Sequence, residues 1–508
     1  MGGVVAAGHP LTAEAGARVL REGGNAVDAA VAAVLVAFAA ESPLTGPGAG
    51  GYMLVHAGPG DDHLLDFFVA APGRGLDPKA APAALRPIEV EFTAEAVQVF
   101  NVGPSSCGVP GTLAGLAEAL ARFGTKPLAA LAAPAAALAR DGVELNGIQA
   151  YLHRILGPIL RSTSECARLY EPDGRPLEVG ERLRLPELGD LLERLGAEGP
   201  GFLYTGDVGA ALSDWVRARG GLLTREDLAA YEVIERPPAR ASYRGRVVLT
   251  NPPPSSGGIL IAYALDLLAR LDRSGDARAL VEVMDRANRA RTEEFVTGLH
   301  SEGYLERFMA KEALESAARE AGSRLGSTTH VAVLDDAGVC ASVTSSNGSG
   351  SGVVVPGTGM QLNNMLGEED LNPLGFHRHE PGRRIPSMMA PTVVLRDGEP
   401  EVGLGSAGSN RIRSAILQTI LNVVDAGLAA EEAVARPRLH FEGGVVEAEP
   451  GVDPDGLADL ERDGWSVQRW GERNLFFGGV QAVARDPSTG ALSGGGDPRR
   501  GGAAVVVP

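Results

Sequence analysis

Near residue 328 the chain changes character, and that change limits its fold more than any other feature. Residues 312–327 are small, charged and Gly-containing. That is the composition of a mobile, exposed segment and a natural place for a chain break. Two β-rich runs follow at once, residues 330–334 and 340–344, joined by Asp335-Asp336-Ala337-Gly338. Such a pair is a hairpin signal. Helical blocks and hairpin strands lie in separate runs along the chain, without strict βαβ alternation. The reading therefore favours an α+β sandwich of antiparallel sheets between helical layers over a doubly wound parallel sheet.

The first half is rich in helix signals. Thr12 can cap a helix through Arg21, with Gly23-Gly24 ending it, and Asn25 or Asp28 opens an Ala/Val helix to Ala40. Residues 52–56 and 63–68 read as strands, 111–140 as helix, and Thr224 as the cap of a short helix to about Tyr231. The stretch Asn251-Pro-Pro-Pro-Ser-Ser-Gly-Gly258 cannot sit in a regular element. Helices are expected after it over residues 259–271 and 279–299, and again over 412–426.

Bulk properties exclude several functions. At 508 residues with a formal net charge of −18, the chain lacks the basic face that a nucleic acid or an anionic membrane would need. Its three cysteines are odd in number and widely spaced, which disfavours a disulfide framework or a zinc site. The N-terminus shows no signal-peptide pattern, and the longest apolar run, residues 29–40, is too short to span a bilayer. A cytoplasmic enzyme without metal or cofactor is the expectation.

The Gly-rich stretch Gly46-Pro-Gly48-Ala-Gly50-Gly51 approximates a dinucleotide fingerprint, but a helix precedes it and a strand follows, the reverse of what nicotinamide binding needs. A tight loop between layers is the better reading. No HExxH, GxxxxGK[ST] or GxSxG occurs, and the nine histidines are scattered. An amide-cleaving enzyme of this kind still needs a base beside its nucleophile. A Ser, Thr or Cys at a chain terminus has one in its own α-amine, with a pKa of about 7.7–8.0. Ser327-Thr328-Thr329-His330, after an exposed segment and at a strand start, is such a setting. Chemistry alone does not choose among its three hydroxyls.

The surroundings do choose. Thr328-Thr329-His330-Val331-Ala332-Val333 with its hairpin resembles the γ-glutamyltranspeptidase family. So do Leu362-Asn363-Asn364, the run from Gly405 through Arg411, and Asp497-Pro498-Arg499. In the first half His9-Pro10, the run from Gly23 through Ala30, Gly108-Val-Pro-Gly-Thr112 and the run from Pro252 through Gly258 match in the same order. The resemblance implies a four-layer αββα sandwich of the N-terminal-nucleophile hydrolase type. It also implies a precursor cut between Ser327 and Thr328 into a large subunit, residues 1–327, and a small subunit, residues 328–508. The two would stay together as one intertwined domain, leaving room for a homodimer of the cleaved pair. Thr328 would be the nucleophile and its freed amine the base, with Ser346, or failing that Thr344, supporting its hydroxyl. Gly408-Ser409 stands where the family has a Gly-Gly oxyanion pair. Asn347, Asn364, Glu368 (with Asp370 as rival) and Ser387 would meet a small-molecule amide or peptide substrate.

Three departures fall on the part of the family's site that grips a glutamyl head group. Phe68 follows Asp66-Phe67 where the family has an Arg for the substrate carboxylate. A bidentate Arg–carboxylate pair is strong and not easily replaced, though another Arg, such as Arg74, could stand in. The acidic contact after Asn363-Asn364 has doubtful spacing, and the family's Ser-Ser pair is Ser387-Met388. The sequence thus allows a γ-glutamyl hydrolase or transferase, or a related acylase of less charged specificity. A reading from another class is an uncleaved, non-catalytic binding protein.

Overall fold

The computed structural model describes residues 1–77, 81–93, 96–271, 276–310 and 328–508. The segment 312–327 expected to be mobile, and Ser327 with it, lies outside the described residues.

Seven strands form one sheet. Their order is Ala503–Val507, Gly3–Ala7, Thr329–Asp335, Cys340–Ser346, Gly50–Gly58, Asp61–Phe67 and Ile234–Arg236, every neighbour antiparallel. Six strands form the other, in the order Leu492–Gly496, Gly479–Arg485, Glu399–Ala407, Thr392–Arg396, Arg246–Thr250 and Ala239–Tyr243, again antiparallel throughout. The hairpin expected around residues 335–338 is the pair Thr329–Asp335 and Cys340–Ser346.

Side chains alternate across a strand, and here each face meets its own core. Val331 and Val333 join the core under the helices Pro10–Arg21 and Ala26–Ala40, whereas Ala332 and Leu334 face the second sheet. Val5 and Ala7 against Val4 and Ala6, and Met53 and Val55 against Tyr52 and Leu54, divide the same way. Burial on both faces explains why these strands read as unbroken apolar runs. On the far side of the second sheet lie the helices Ser256–Leu271, Ala277–Arg289 and Arg411–Val424. The result is the four-layer αββα sandwich.

Local chemistry sets the helix ends. His9, not Thr12, caps the first helix: its Nδ1 accepts from Leu11 N–H at 3.1 Å, and Pro10 supplies the first helical residue. The hydroxyl of Thr12 is instead buried and donates to Glu41 at 2.9 Å. Asn25 and Asp28 both open the second helix, as the two halves of a capping box. The helix expected over 279–299 is divided into Ala277–Arg289 and Glu293–Gly298, because Thr292 turns the chain and accepts from Phe295 N–H at 3.1 Å. The three cysteines are buried and free. No helix among the described residues is long and apolar enough to cross a membrane.

Candidate active site

Strand parity places the nucleophile candidate. Thr329 pairs with Ser345, so one step outward Thr328 stands opposite Ser346 at the open end of the ladder. The Thr328 hydroxyl donates to Ser346 Oγ at 3.2 Å, and that oxygen also accepts Gly348 N–H at 2.9 Å. Both side chains belong to the even-numbered set that faces the second sheet. Thr329 belongs to the odd set and points the other way, donating to the buried carboxyl of Glu41. Burial pushes that carboxyl up to about 7.

Thr344, the alternative support, lies two residues deeper and opposite His330, to whose Nδ1 its hydroxyl is bonded at 2.8 Å. The structure does not bring it to Thr328. The imidazole of His330 is packed on Gly405, where a Cβ would meet the ring at 2.3 Å. Burial lowers its pKa to about 3, so it is neutral and holds Thr344 and Ser342 together.

The strand Glu399–Ala407 ends facing this corner, and Gly408-Ser409 turns the chain into the helix Arg411–Val424. Gly408 has φ +118 and approaches Gly478 so closely that a Cβ would lie 3.1 Å from its Cα. Ser409 has φ +51, a left-handed conformation costing a non-glycine residue about 1–2 kcal/mol. Its hydroxyl donates to Asp370 Oδ2 at 2.6 Å, which ties the turn down. Among the described residues no acceptor takes the N–H of Gly408 or Ser409. Ser409 shares a pocket with Thr328, whereas Gly408 does not line it; unclaimed N–H donors beside a candidate nucleophile are what a tetrahedral oxyanion requires.

A pocket of about 40 Å³ joins these parts, with Thr328, Ser346, Glu368, Asp370, Ser387 and Ser409 on its polar side. Phe68, Gly348, Met365, Leu371, Met388, Met389 and Ile412 complete it. Phe68 is buried and stacked on Tyr52 with ring centroids 5.4 Å apart. The Ser387-Met388 segment is held by the Pro-rich stretch, of which Ser256, Gly257 and Gly258, expected outside any regular element, already form the start of the helix Ser256–Leu271. Ser255 Oγ donates to the carbonyls of Ser387 and Met389 at 2.9 and 2.8 Å, and Gly257 passes so close that a Cβ would meet Met388 O at 2.1 Å.

Two residues expected at the substrate are elsewhere. Asn347 lies just past the strand end, with its amide beside Gly46 and outside the pocket. Asn364 uses both ends of its amide on Ser349, at 2.9 Å to the N–H and 2.6 Å to the hydroxyl. It shapes the loop after Ser346 and does not line the pocket. Arg74 is also outside: its guanidinium crosses Gly382 and its N–H donates to Asp227. Asp66 pairs with Arg384 and Arg236, at 3.2 and 2.8 Å, beneath the backbone of Phe68. Sequence reasoning missed the methionines and Ile412 on the wall, and it missed the bond between Asp370 and Ser409. Those residues are far apart in the chain, and no local pattern pairs them.

Two facing antiparallel sheets between helical layers, with a threonine opening a central strand, define a hydrolase fold of the N-terminal-nucleophile class. The chain belongs to the gamma-glutamyltranspeptidase family, whose sequence pattern matches residues 12–507. It is an enzyme of that hydrolase and acyltransferase type. It is 35% identical over 532 residues to the acylase ACY 1 proenzyme of Pseudomonas sp. strain SE83, covering 99% of this chain and 93% of that protein. It is 31% identical to the glutathione hydrolase proenzyme of Escherichia coli strain K12, covering 98% of this chain and 90% of that protein. Among solved structures, the cephalosporin acylase of Bacillus halodurans superposes with a TM-score of 0.83 at 27% identity, covering 99% of this chain and 95% of that one.

Proposed function

We propose that this enzyme is cut between Ser327 and Thr328 and hydrolyses or transfers acyl groups through an ester on Thr328. The observation that carries the proposal is the meeting of Thr328 Oγ1 with Ser346 Oγ at 3.2 Å in a pocket that Ser409 also lines. In the precursor the Thr328 hydroxyl attacks the Ser327 carbonyl, the C–N bond breaks so that the amide becomes an ester and the Thr328 amine is freed, and water then hydrolyses the ester to a Ser327 carboxylate and a free Thr328 hydroxyl. In the mature enzyme that amine takes the hydroxyl proton as Oγ1 attacks the substrate carbonyl. The N–H groups of Gly408 and Ser409 hold the resulting oxyanion. The protonated amine passes its proton to the departing nitrogen, the C–N bond breaks, and water or a second amine resolves the ester. Relatives at 35% and 31% identity that are named proenzymes support the cut.

The acyl group accepted is less charged than glutamate. Phe68 stands in the pocket with Met365, Met388 and Met389, and no guanidinium lines it among the described residues. The relative named an acylase supports this reading. Glu368, on the same wall, keeps the γ-glutamyl reading alive as the alternative, since a carboxylate there suits a substrate amine. N-terminal sequencing of the mature small subunit and paired assays of γ-glutamyl and uncharged acyl anilides test both statements. A single uncut 52.5 kDa chain in the mass spectrum would sink the nucleophile reading in favour of a binding protein. Ordinary efficiency on the γ-glutamyl anilide would sink the specificity.

A further inference from the structure

Asp370 and Met388 line the pocket beside Thr328 and also a second cavity of about 580 Å³. The pocket itself, at about 40 Å³, has room for a few atoms around a scissile carbonyl. A larger substrate can continue past Asp370 and Met388, the two side chains that line both spaces. Met388 belongs to the Ser387-Met388 pair, which stands where the family meets the acyl group, so the acyl tail is the half that crosses.

The second cavity has a definite chemistry. Phe295, Phe441 and Trp465 line it, with Phe441 meeting Trp465 edge-on at 5.0 Å between ring centroids. Its charges are lopsided: Asp285, Glu293, Glu369, Asp370 and Glu442 against Arg289 and Arg291. Both guanidinium groups are already held, Arg289 at 2.8 Å from Asp285 and Arg291 at 3.5 Å from Glu442. Carboxylates in that number repel an anionic ligand, and aromatic faces attract a flat or cationic one. The volume is that of a site for a small organic molecule.

Asn410, the residue after Ser409, is fully buried on the wall of this cavity. Neither its amide nitrogen nor its amide oxygen has a hydrogen-bond partner among the described residues. A buried amide left so is costly. A ligand passing from the oxyanion turn into the cavity can satisfy it.

We propose that the second cavity is the subsite for the acyl tail, that it takes a neutral or cationic aromatic group, and that Asn410 hydrogen-bonds a polar atom of that tail. This deepens the proposed function and rests on Thr328 as nucleophile. The test uses the processed enzyme and 4-nitroanilides of four acids that share one leaving amine. These are propionic acid, 3-phenylpropionic acid, and the latter bearing a para-aminomethyl or a para-carboxylate group. The phenyl group is expected to raise kcat/KM about tenfold over propionyl. The para-carboxylate is expected to fall about tenfold below the para-aminomethyl compound. Val296→Trp, which narrows the cavity, should lower the aryl-to-propionyl ratio, and Asn410→Leu should lower the ratio for tails that carry a hydrogen-bonding group. Equal rates for all four acids, or an aryl preference unchanged by Val296→Trp, overturns the proposal while leaving the nucleophile intact. Absence of any turnover from an uncut chain would overturn the nucleophile instead. Calorimetric binding of 3-phenylpropionamide to Thr328→Ala would then decide the cavity on its own, with no binding overturning it.

Discussion

The hydroxyl of Ser409 donates to Asp370 across 2.6 Å, joining the turn that ends one strand to a loop 39 residues away. That bond holds a serine at φ +51, a conformation that glycine adopts without strain. The turn thus has the shape of a Gly-Gly pair, reached through a side-chain tether.

Ser409→Gly removes the strain and the tether together. It should change stability by no more than about 1 kcal/mol and keep most of kcat. Ser409→Pro deletes the N–H and demands a negative φ, so its kcat should fall about 10²–10³-fold. Steady-state rates and thermal melts of the two variants check this, and equal rates would remove Ser409 from the oxyanion hole.

Ser346 and Thr344 should separate cleanly. Ser346→Ala takes away the partner of the Thr328 hydroxyl and should slow both chain cleavage and turnover about tenfold or more. Thr344→Ala strands a buried imidazole nitrogen of His330 and should cost about 1–3 kcal/mol of stability. Its surviving enzyme should turn over near the parent rate. Time courses of precursor cutting, run beside the melts, decide between the two residues.

Glu41 makes stability depend on pH in a definite direction. Burial raises its carboxyl from 4.5 to about 7, so between those values the folded chain keeps a proton that the unfolded chain has released. Its contribution therefore falls as pH rises from 4.5 to 7 and is level above that. Glu41→Gln should flatten this slope and gain on the order of 3 kcal/mol above pH 7. His330, lowered from 6.5 to about 3, acts oppositely: its contribution is lost as pH falls below 6.5 towards 3, in parent and variant alike. Denaturant midpoints from pH 4 to 9 give both slopes.

Phe68→Arg places a guanidinium on the wall that Glu368 and Ser387 share. The ratio of γ-glutamyl to uncharged acyl anilide hydrolysis should rise at least about tenfold. Loss of the stack on Tyr52 and burial of charge should lower stability by about 2–4 kcal/mol. An unchanged ratio in a folded variant would mean that residue 68 does not read the acyl group.

Asp497 belongs to a motif that carries architecture. Its carboxylate meets Arg438 at 2.8 Å, Arg499 at 3.1 Å and Val480 N–H at 2.8 Å, all buried. Asp497→Ala leaves two buried cations short of a partner and should cost about 3–5 kcal/mol. The enzyme that still folds should show the parent kcat, measured well below its lowered Tm.

How much of this was legible beforehand follows from where each signal is written. The hairpin after residue 328 was readable because Val331, Val333 and their turn are local, and parity then carries Thr328 to Ser346. Capping at Asn25 and Thr224 was readable for the same reason. Asn347 and Asn364 were misplaced because a side chain just past a strand end obeys no period, and its direction depends on a loop that Ser349 shapes. The split at Thr292 was missed because the apolar spacing runs through it. The large cavity had no signature, since Phe295, Asn410 and Trp465 meet only through tertiary packing.

The order of the seven-stranded sheet has one more consequence. Reading across it, the segments come from after residue 328, before it, after it twice, then before it three times. A break at residue 328 would thus alter the covalent map while every main-chain ladder stays in place. Pieces woven in this way cannot be traded between molecules without unravelling the sheet. Each mature enzyme would keep for life the two fragments it was born with, and mixed preparations of differently labelled protein would never yield hybrids.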